Sequence, residues 1–173
     1  MVEVKQDGTT KVLFVCLGNI CRSPTAHGVF EQLLAQHGLS QVVEVDSCGT
    51  GDWHVGETPD RRATLEAGKR GYDLSRLRAR QLDIGDFMDF DYILGMDRMN
   101  LVDLQALCPD SYSGHLGLFL PFAIDPIVEE VPDPYYGGAD GFSHVLDLVE
   151  AASEGLLRAI RRAQETDCAD PAR

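Results

Sequence analysis

The chain has 173 residues, of which 44% are hydrophobic and 25% are charged, a composition that suits one globular domain with a full-sized core. Its formal net charge of −13 at pH 7 opposes binding to nucleic acid and to anionic membranes. Because no apolar stretch is as long as a membrane span and the leading residues MVEVKQDGTTK lack a signal peptide's apolar run, we expect a cytoplasmic protein, with non-classical secretion left open.

Short apolar runs and amphipathic stretches alternate along the chain. The predicted strands are short and apolar, at residues 12–15, 42–45, 91–96 and 116–120. The predicted helices repeat apolar residues at helical spacing, at residues 24–36, 58–69, 100–107 and from 142 onward. The alternation indicates parallel pairing, so we predict one α/β sheet, with a flexible lead over residues 1–10 and a flexible tail over residues 166–173.

The segment that follows the first strand has the most specific pattern in the chain. Cys16 precedes Arg22 by six residues, with the pair Gly18-Asn19 between them, and no other cysteine has an arginine at that spacing. The backbone N–H groups of such a loop can surround an oxyanion. The pair Ser23-Pro24 is typical of the N-cap and first position of a helix, whose positive end would face the same anion. The pattern therefore predicts attack by a thiolate on a phosphate.

Two later loops are predicted to lie beside this segment. One covers residues 47–56 and contains the single tryptophan, Trp53, and the other covers residues 121–141 and contains Asp133. Long irregular segments of this kind are often functional. Because ligands of parallel sheets bind beyond the carboxyl ends of the strands, Cys16 and both loops are expected to meet at one site.

The sequence predicts free thiols and no metal site. Its five cysteines are odd in number and match no usual zinc spacing, which favours a reducing compartment. The five histidines form no close ligand pair, and each is expected at a surface or capping position: His27, His37, His54, His115 and His144.

Three separated motifs, taken in order, resemble those of the low-molecular-weight protein tyrosine phosphatases of the bacterial type. They read VLFVCLGNICRSP at residues 12–24, DYILGMD at residues 91–97 and VPDPYYGG at residues 131–138. The resemblance extends over residues 11 to about 161 and implies one phosphatase domain at residues 11–165. It also implies a four-stranded parallel twisted sheet with helices on both faces, in the flavodoxin-like three-layer arrangement, and hydrolysis of phosphotyrosine in proteins.

The resemblance implies three catalytic residues and a phosphocysteine intermediate, with no metal or cofactor. Cys16 would be the nucleophile, Arg22 the phosphate clamp and Asp133 the general acid, which then activates water as the base. Physical arguments agree, because loop N–H groups, a helix N-terminus and a guanidinium all favour the thiolate form of Cys16. The planar fork of Arg22 matches two phosphate oxygens, and an aspartate beside a dianionic substrate is easier to protonate than one in water.

Further residues are implied in phosphate binding or in support of the loop. The phosphate-binding set comprises Leu17, Gly18, Asn19, Ile20, Cys21 and Ser23. Ser23 would donate to the Cys16 sulfur or act as a plain helix N-cap, and the two roles are compatible. Asn19 suits the left-handed backbone of a tight loop and would be braced by Ser47, with Asp97 as a second supporting residue.

Aromatic side chains are predicted to form the walls of the cleft. Trp53, Tyr135 and Tyr136 would enclose a phenyl ring, which favours phosphotyrosine over phosphoserine, with a packed core position as the less favoured alternative for Trp53. Cys21 would form a reversible disulfide with Cys16 or serve as a small buried hydrophobe.

Two positions depart from the family pattern. Many members carry a histidine at the position of Leu77, shortly before the pair Arg80-Gln81, where it helps to brace the phosphate loop. The bracing is therefore predicted to be smaller or built differently in this chain. Cys48 stands where alanine is usual, which is a conservative replacement.

Three alternative functions share parts of this pattern. An arsenate reductase of the related fold would pass electrons through further cysteines, for which Cys108 is the only candidate. A protein arginine phosphatase usually carries threonine where Ile20 stands, and isoleucine favours an aromatic substrate. A catalytically idle phosphotyrosine-binding module does not need both the thiol and the acid. The pattern therefore favours a protein tyrosine phosphatase over all three.

The partners expected from this interpretation are proteins that contain phosphotyrosine. Inorganic phosphate and other oxyanions would be product or inhibitors. We expect no nucleic-acid partner, no membrane insertion, and a monomer or weak dimer.

Overall fold

Four parallel strands form the central sheet of the structure, a computed structural model that describes residues 8–124 and 128–169. The strands are β1 (Thr10–Cys16), β2 (Val43–Gly49), β3 (Tyr92–Gly95) and β4 (His115–Leu118), in the spatial order β2-β1-β3-β4. The helices are α1 (Arg22–Gln36), α2 (Arg61–Lys69), α3 (Asp86–Asp89), α4 (Arg98–Leu107) and α5 (Ala139–Ala169), with a 3₁₀ turn at Leu120–Phe122. The predicted α/β fold with a four-stranded parallel sheet is confirmed.

The strand β1 is buried on both of its faces. Val12, Leu13, Phe14 and Val15 are all 0% exposed, as expected for a central strand of a parallel sheet that is covered on both sides. Val12 and Phe14 belong to the larger apolar core, which α1 and α5 complete. Leu13 and Val15 belong to a smaller core that includes residues of α3 and α4. Helices therefore cover both faces of the sheet, as the resemblance implies.

Aromatic rings and a close backbone contact hold the larger core together. The ring of Phe14 meets Phe30 of α1 at 5.8 Å and Phe119 at 4.8 Å between centroids, in both cases edge to face. Such pairs add about 0.5–1.5 kcal/mol each beyond their burial. The helix α5 closes this core at Gly155, where a Cβ atom would lie 1.6 Å from the carbonyl oxygen of Phe122. The long helix and the 3₁₀ turn therefore pack backbone against backbone.

Several element boundaries differ from the prediction. The helix α2 begins at Arg61, with the Asp60 side chain as its N-cap, rather than at Thr58. The pattern does not predict α3, because a single turn is too short to show helical periodicity. The strand β4 ends at Leu118, and the 3₁₀ turn replaces the predicted last residues of that strand.

The helix α5 is longer than the pattern predicts at both ends. It begins at Ala139 rather than Phe142 and continues to Ala169, so residues 166–169 are helical and not a flexible tail. Of the predicted lead at residues 1–10, Thr10 belongs to β1 because it pairs with β2, and residues 1–7 lie outside the described residues, as do residues 170–173 of the predicted tail. Across the described parts of the chain, no helix combines the length and the apolar character that crossing a membrane requires.

The order of the strands opens a crevice at the carboxyl end of β1. Because β1 pairs with β2 on one side and with β3 on the other, the chain leaves β1 in one direction and later crosses to the other side. Ligands in open parallel sheets bind at such a switch point. Cys16 is the last residue of β1, opposite Gly49 of β2. A Cβ atom at Gly49 would lie 2.8 Å from the carbonyl oxygen of Leu17, so only glycine lets the two backbones approach there.

Candidate active site

Cys16 places its thiol at the base of this crevice. The residue is 3% exposed, and its Sγ lies 3.0 Å from Ser23 Oγ. The sulfur also accepts the backbone N–H of Asn19 at 3.3 Å. A hydroxyl and a backbone amide thus border the sulfur. The cysteine that the sequence singles out therefore lies in surroundings suited to a nucleophile.

Ser23 lies inside α1 and does not cap it. The helix begins at Arg22, its N-cap is Cys21, and no side chain caps its first turn. The Ser23 hydroxyl instead contacts Cys16 Sγ and accepts a hydrogen bond from Asn19 Nδ2 at 2.7 Å. The N-cap interpretation is therefore wrong, because the hydroxyl is held by the thiol and by an amide from the preceding loop.

The Cys16 loop, defined as residues 16–22, presents backbone donors to the crevice. Among residues 8–124 and 128–169, no group accepts the other N–H groups of this loop, namely those of Leu17, Gly18, Ile20, Cys21 and Arg22. The uncapped first turn of α1 adds the positive end of the helix dipole at the same place. Free N–H groups at a helix N-terminus are a binding site for an oxyanion.

Asn19 holds the Cys16 loop to three neighbouring segments. It has a left-handed backbone, with a φ of 56°, which a residue other than glycine adopts only at a cost. Its Oδ1 accepts the backbone N–H of Arg80 at 3.1 Å, and this contact fixes the orientation of the amide. Its Nδ2 then donates to Ser23 Oγ at 2.7 Å and to Ser47 Oγ at 3.1 Å. Every polar atom of this buried side chain is therefore engaged.

The guanidinium of Arg22 is buried and held by oxygens of three other residues. Its Nη1 donates to Asp97 Oδ2 at 2.5 Å and to the carbonyl oxygen of Val131 at 3.1 Å. Its Nη2 lies 3.7 Å from Asp133 Oδ2. Burial opposes the charge, but the electrostatic effect of Cys16 and the hydrogen bond to Asp97 outweigh it and raise the pKa of Arg22. The side chain is therefore a permanent cation in a fixed orientation.

Asp97 orients Arg22 from the start of α4. It is the N-cap of that helix, and its Oδ1 accepts the N–H of Asn100 at 2.8 Å while its Oδ2 faces Arg22. The Asn100 side chain accepts the Asp97 N–H at 3.2 Å, which completes a capping box. The helix start thus fixes the carboxylate, and the carboxylate fixes the guanidinium.

Asp133 lies at the mouth of the crevice, on a loop that is anchored to the sheet. Val131 is fully buried and donates its N–H to the carbonyl oxygen of Met96, just beyond β3, at 2.8 Å. The Asp133 side chain is 41% exposed, and its Oδ1 accepts the N–H of Tyr135 at 3.0 Å. The carboxylate is therefore close enough to reach a ligand held by Arg22 and is still open to water.

An open cleft of about 260 Å³ lies above the sulfur. Three separate segments line it, with the residues Cys16, Leu17, Gly18, Ile20, Cys21, Arg22, Trp53, His54, Asp133, Tyr135 and Tyr136. Trp53 is 68% exposed, so it is a wall of the cleft and not a core residue. The rings of Tyr135 and Tyr136 meet edge to face with 5.0 Å between centroids, and Arg62 of α2 lies over the Tyr135 ring. The cleft has room for a flat aromatic group above the sulfur.

His54 is a cleft residue that the sequence analysis misses. Its Nδ1 lies 2.7 Å from Glu57 Oε2 on the exposed rim, and its ring lies against the backbone of Gly18 in the Cys16 loop. The sequence carries one signal for this placement, since the histidine directly follows Trp53 in a glycine-rich loop. His54 therefore supports one side of the loop.

His27 differs most from the predicted surface or capping position. It lies on α1, is 7% exposed, and places its Nδ1 3.0 Å from Ser47 Oγ. Burial is the main cause that lowers its pKa from the ordinary value of 6.5 to about 4. Leu77, where the resemblance implies a histidine, is 7% exposed and packs in the larger apolar core. The polar network around Asn19 thus contains a histidine from a different element.

The remaining cysteines described are free thiols outside the polar network of Cys16. Cys21 packs in an apolar cluster with Ala63 and Phe142, and burial, followed by the nearby Asp60, raises its pKa to about 12. This setting suits the interpretation of Cys21 as a buried hydrophobe, and its disulfide with Cys16 stays a prediction. Within residues 8–124 and 128–169, no three side chains of His, Cys, Asp or Glu are grouped so as to hold a metal ion.

Comparison with known proteins points to a single family. The model of the family described as low molecular weight phosphotyrosine protein phosphatase matches residues 11–166. The chain is 44% identical over 161 residues to a low molecular weight protein-tyrosine-phosphatase of Streptomyces coelicolor, covering 91% of this chain and 97% of the relative. It is 43% identical over 151 residues to a low molecular weight phosphotyrosine protein phosphatase of Schizosaccharomyces pombe, covering 87% of this chain and 96% of the relative.

A solved structure gives the same result for the fold. The crystal structure of a protein tyrosine phosphatase from Entamoeba histolytica, with Hepes in its active site, superposes with a TM-score of 0.87 at 38% identity. The match covers 90% of this chain and 99% of the other. Sequence and three-dimensional similarity therefore extend over the same, nearly complete length.

Proposed function

Because the chain belongs to the low molecular weight phosphotyrosine protein phosphatase family, we propose that this hydrolase removes phosphate from phosphotyrosine in proteins through a covalent intermediate on Cys16. One observation above all supports the proposal. The sulfur of Cys16, the guanidinium of Arg22 and the carboxylate of Asp133 border one cleft, although the third lies on a distant part of the chain. A nucleophile, an anion clamp and an acid in such proximity can carry out a complete displacement at phosphorus.

In the first step, the Cys16 thiolate attacks phosphorus from the base of the cleft. The S–P bond forms while the bond from phosphorus to the phenolic oxygen breaks in line with it. The proton of the Asp133 carboxyl passes to the departing oxygen, so that tyrosine leaves as a neutral phenol. The free N–H groups of the Cys16 loop and the guanidinium of Arg22 hold the three non-bridging oxygens, whose charge they stabilise most strongly in the transition state.

In the second step, water replaces the sulfur. The Asp133 carboxylate takes a proton from the water, the new O–P bond forms, and the S–P bond breaks. The thiolate leaves with the Ser23 hydroxyl 3.0 Å away as a donor. Inorganic phosphate is the product, and the enzyme returns to its starting protonation state. The same site is expected to bind inorganic phosphate and similar oxyanions, which would then compete with the substrate.

Arg22 can act as a clamp because protein acceptors hold one of its nitrogens and leave the other two for a ligand. Nη1 donates to Asp97 and to the carbonyl oxygen of Val131. In the described residues no acceptor engages its Nε, and Nη2 faces Asp133 at 3.7 Å, which leaves these two nitrogens for the phosphate. Nε and Nη2 can therefore donate a parallel pair of charge-assisted hydrogen bonds to two phosphate oxygens, which a lysine cannot do.

The walls of the cleft support an aromatic leaving group. Trp53, Tyr135 and Tyr136 surround the opening, and Ile20 contributes an apolar side chain at its base. Cys108 lies at the end of α4 and away from the cleft, so it offers no second thiol for the reduction of arsenate.

A cytoplasmic location and a monomeric or weakly dimeric state complete the proposal. The nucleophile is a free thiol that oxidation would inactivate, which suits a reducing compartment. All the groups that the mechanism uses come from one chain, so catalysis needs no second copy.

A substrate panel tests the proposal directly. Phosphotyrosine, phosphoserine and phosphoarginine peptides of one flanking sequence, together with arsenate and a thiol reductant, are offered to the wild-type protein and to Cys16→Ser as the matched control. We expect kcat/KM for phosphotyrosine to exceed the others by on the order of 10²-fold or more and to vanish in the control. Preferred hydrolysis of phosphoarginine, reduction of arsenate, or turnover by Cys16→Ser would each overturn it.

A further inference from the structure

We propose that His27 is a positioning residue, which accepts a hydrogen bond from Ser47 and thereby holds Asn19 and the Cys16 loop in the geometry of catalysis. The inference rests on the proposed function, because it concerns how that site is kept in shape. It assigns a role to a buried histidine that touches neither the sulfur nor the cleft.

The direction of each hydrogen bond follows from the fixed amide of Asn19. Its Oδ1 accepts the N–H of Arg80, so its Nδ2 must donate, and both Ser23 Oγ and Ser47 Oγ are acceptors for it. The Ser23 hydrogen then has two acceptors within reach, Cys16 Sγ at 3.0 Å and the carbonyl oxygen of Cys48 at 3.3 Å. By donating to the Ser23 oxygen, Asn19 leaves the hydrogen of this hydroxyl for these two acceptors.

His27 is the hydrogen-bond acceptor for Ser47, at the end of the network. Because Ser47 Oγ accepts from Asn19, the Ser47 hydrogen can be donated onward, and His27 Nδ1 lies 3.0 Å from this oxygen. Such a donation requires a neutral imidazole with its proton on Nε2. Nε2 lies 3.9 Å from Glu31 Oε2, one turn further along α1, so the protonated nitrogen faces a carboxylate. The geometry therefore selects one tautomer.

Burial keeps the His27 ring neutral at physiological pH, and the charged groups around it act in opposite directions. Asp46 of β2 favours protonation, whereas Arg76 and Arg80, from the segment between α2 and α3, oppose it. Glu31 is itself paired with Arg76. Burial outweighs the attraction of the carboxylates, and the pKa of His27 is lowered to about 4. Nδ1 is therefore available as an acceptor over the whole range in which the enzyme is expected to work.

A double-mutant cycle distinguishes this positioning role from simple packing. The proteins are the wild type, His27→Phe, Ser47→Ala and the double variant, each assayed for kcat and KM with a phosphotyrosine peptide. Phenylalanine keeps the ring and removes the acceptor. We expect His27→Phe to lower kcat on the order of 10-fold, because a misplaced support shifts the reacting groups, with a smaller change in KM. The double variant should lose no more than Ser47→Ala alone, since both changes break one network.

Two further variants complete the design. His27→Asn places an amide oxygen near the position of Nδ1 and should recover most of the lost kcat. Val29→Ala removes a buried side chain from the same helix outside the network, so it should lower thermal stability without lowering kcat. Unchanged kcat in His27→Phe, fully additive losses in the cycle, or an equal loss of kcat in Val29→Ala would overturn the proposal.

A measurement on the wild-type protein covers the case in which His27→Phe does not fold. Nitrogen-15 NMR of labelled histidine should show, for one ring, a neutral Nε2–H tautomer that does not titrate between about pH 5.5 and 8. A His27 ring that carries its proton on Nδ1, or that titrates in this interval, would contradict the inference. If the wild type itself fails to hydrolyse phosphotyrosine, the proposed function is wrong. If the wild type and His27→Phe are equally active, the proposed function stands and the positioning role of His27 is wrong.

Discussion

Two aspartates lie beside Arg22, and they differ in their distance from the guanidinium and in their exposure to water. Asp97 approaches the guanidinium at 2.5 Å and is engaged through its other oxygen as a helix cap. Asp133 lies at 3.7 Å, and its side chain is 41% exposed on a loop. A carboxylate held through both of its oxygens is fixed in place, whereas one on an exposed loop is free to meet a bound ligand. This contrast supports the proposal that Asp133, and not Asp97, is the general acid.

Replacement of Asp133 by alanine tests the acid role. We expect Asp133→Ala to lower kcat on the order of 10²-fold or more for a phenol that is a poor leaving group, and much less for a nitrophenol, which leaves without a proton. A series of substituted phenyl phosphates measures this as a steeper dependence of rate on leaving-group acidity. Equal losses across the series would rule out protonation of the leaving group by Asp133.

His27 also links the site to the pH dependence of stability. Its pKa is 6.5 in the unfolded chain and about 4 in the folded protein. Between these values the unfolded chain takes up a proton that the folded protein does not, so stability falls as pH falls through this window. Above pH 6.5 both states are neutral, and the contribution is fully present. The loss approaches about 3 kcal/mol near pH 4.

The variant His27→Asn checks this linkage. Asparagine does not titrate, so the free energy of unfolding of the variant should fall less than that of the wild type between pH 7.5 and 4.5. Urea unfolding at several pH values measures both slopes, and the carboxylates shared by the two proteins cancel in the comparison. Parallel slopes would show that His27 is not buried in its neutral form.

At the scale of elements, the contact between α5 and the 3₁₀ turn depends on a single missing side chain. Alanine in a helix is favoured over glycine by about 1 kcal/mol. At Gly155, however, the added Cβ would lie 1.6 Å from the Phe122 carbonyl oxygen, and backbone atoms cannot move aside cheaply. We expect Gly155→Ala to destabilise the protein by about 1–3 kcal/mol despite the gain in helix propensity. Chemical denaturation provides the measurement.

Gly68 of α2 serves as the matched control for that substitution. A Cβ atom at this position would meet no atom within 4 Å. We therefore expect Gly68→Ala to leave stability unchanged or to raise it by up to about 1 kcal/mol. Stabilisation by Gly155→Ala would mean that α5 does not approach the turn as described.

Sequence patterns predict the strands and the Cys16 loop because these features are local. Four consecutive apolar residues, 12–15, make β1 evident, and the spacing of Cys16 and Arg22 is visible in the chain itself. The helix α3 is a single turn and is too short to show a periodic pattern. The first residues of α5, 139–141, include an aspartate and a glycine, so they do not continue the apolar repeat of that helix. Helix boundaries of this kind depend on tertiary contacts that the pattern does not contain.

The supporting network is harder to predict because its members are distant in sequence. Ser23-Pro24 has the residues of a helix start, yet the thiol and Asn19 hold the hydroxyl more effectively than the first turn does. The absence of a histidine at Leu77 predicts that the support for the loop is smaller or built differently. Only the packing of α1 against β2, however, reveals that His27 reaches Ser47.

At the scale of the whole molecule, the charge of −13 acts against the substrate that the site binds. Phosphotyrosine carries close to two negative charges, and surface fields act over about 30 Å at 0.01 M salt but only about 8 Å at 0.15 M. We expect kcat/KM for a phosphotyrosine peptide flanked by Asp and Glu to rise over this range of salt, and that for a peptide flanked by Lys and Arg to fall. Steady-state assays at constant pH measure both, and salt dependences of the same sign would show that net charge does not govern association.

The site is divided between two separate parts of the chain, which can therefore change independently during evolution. Residues 16–23, the proposed phosphate site, are fixed by β1 and α1, whereas Asp133 and its tyrosine neighbours come from a loop that joins the sheet through Val131. Mutations in that loop can alter which side chains are accepted without disturbing capture of the phosphate. Selection for new targets is therefore expected to act first on residues 132–138, while the chemistry at sulfur is inherited unchanged.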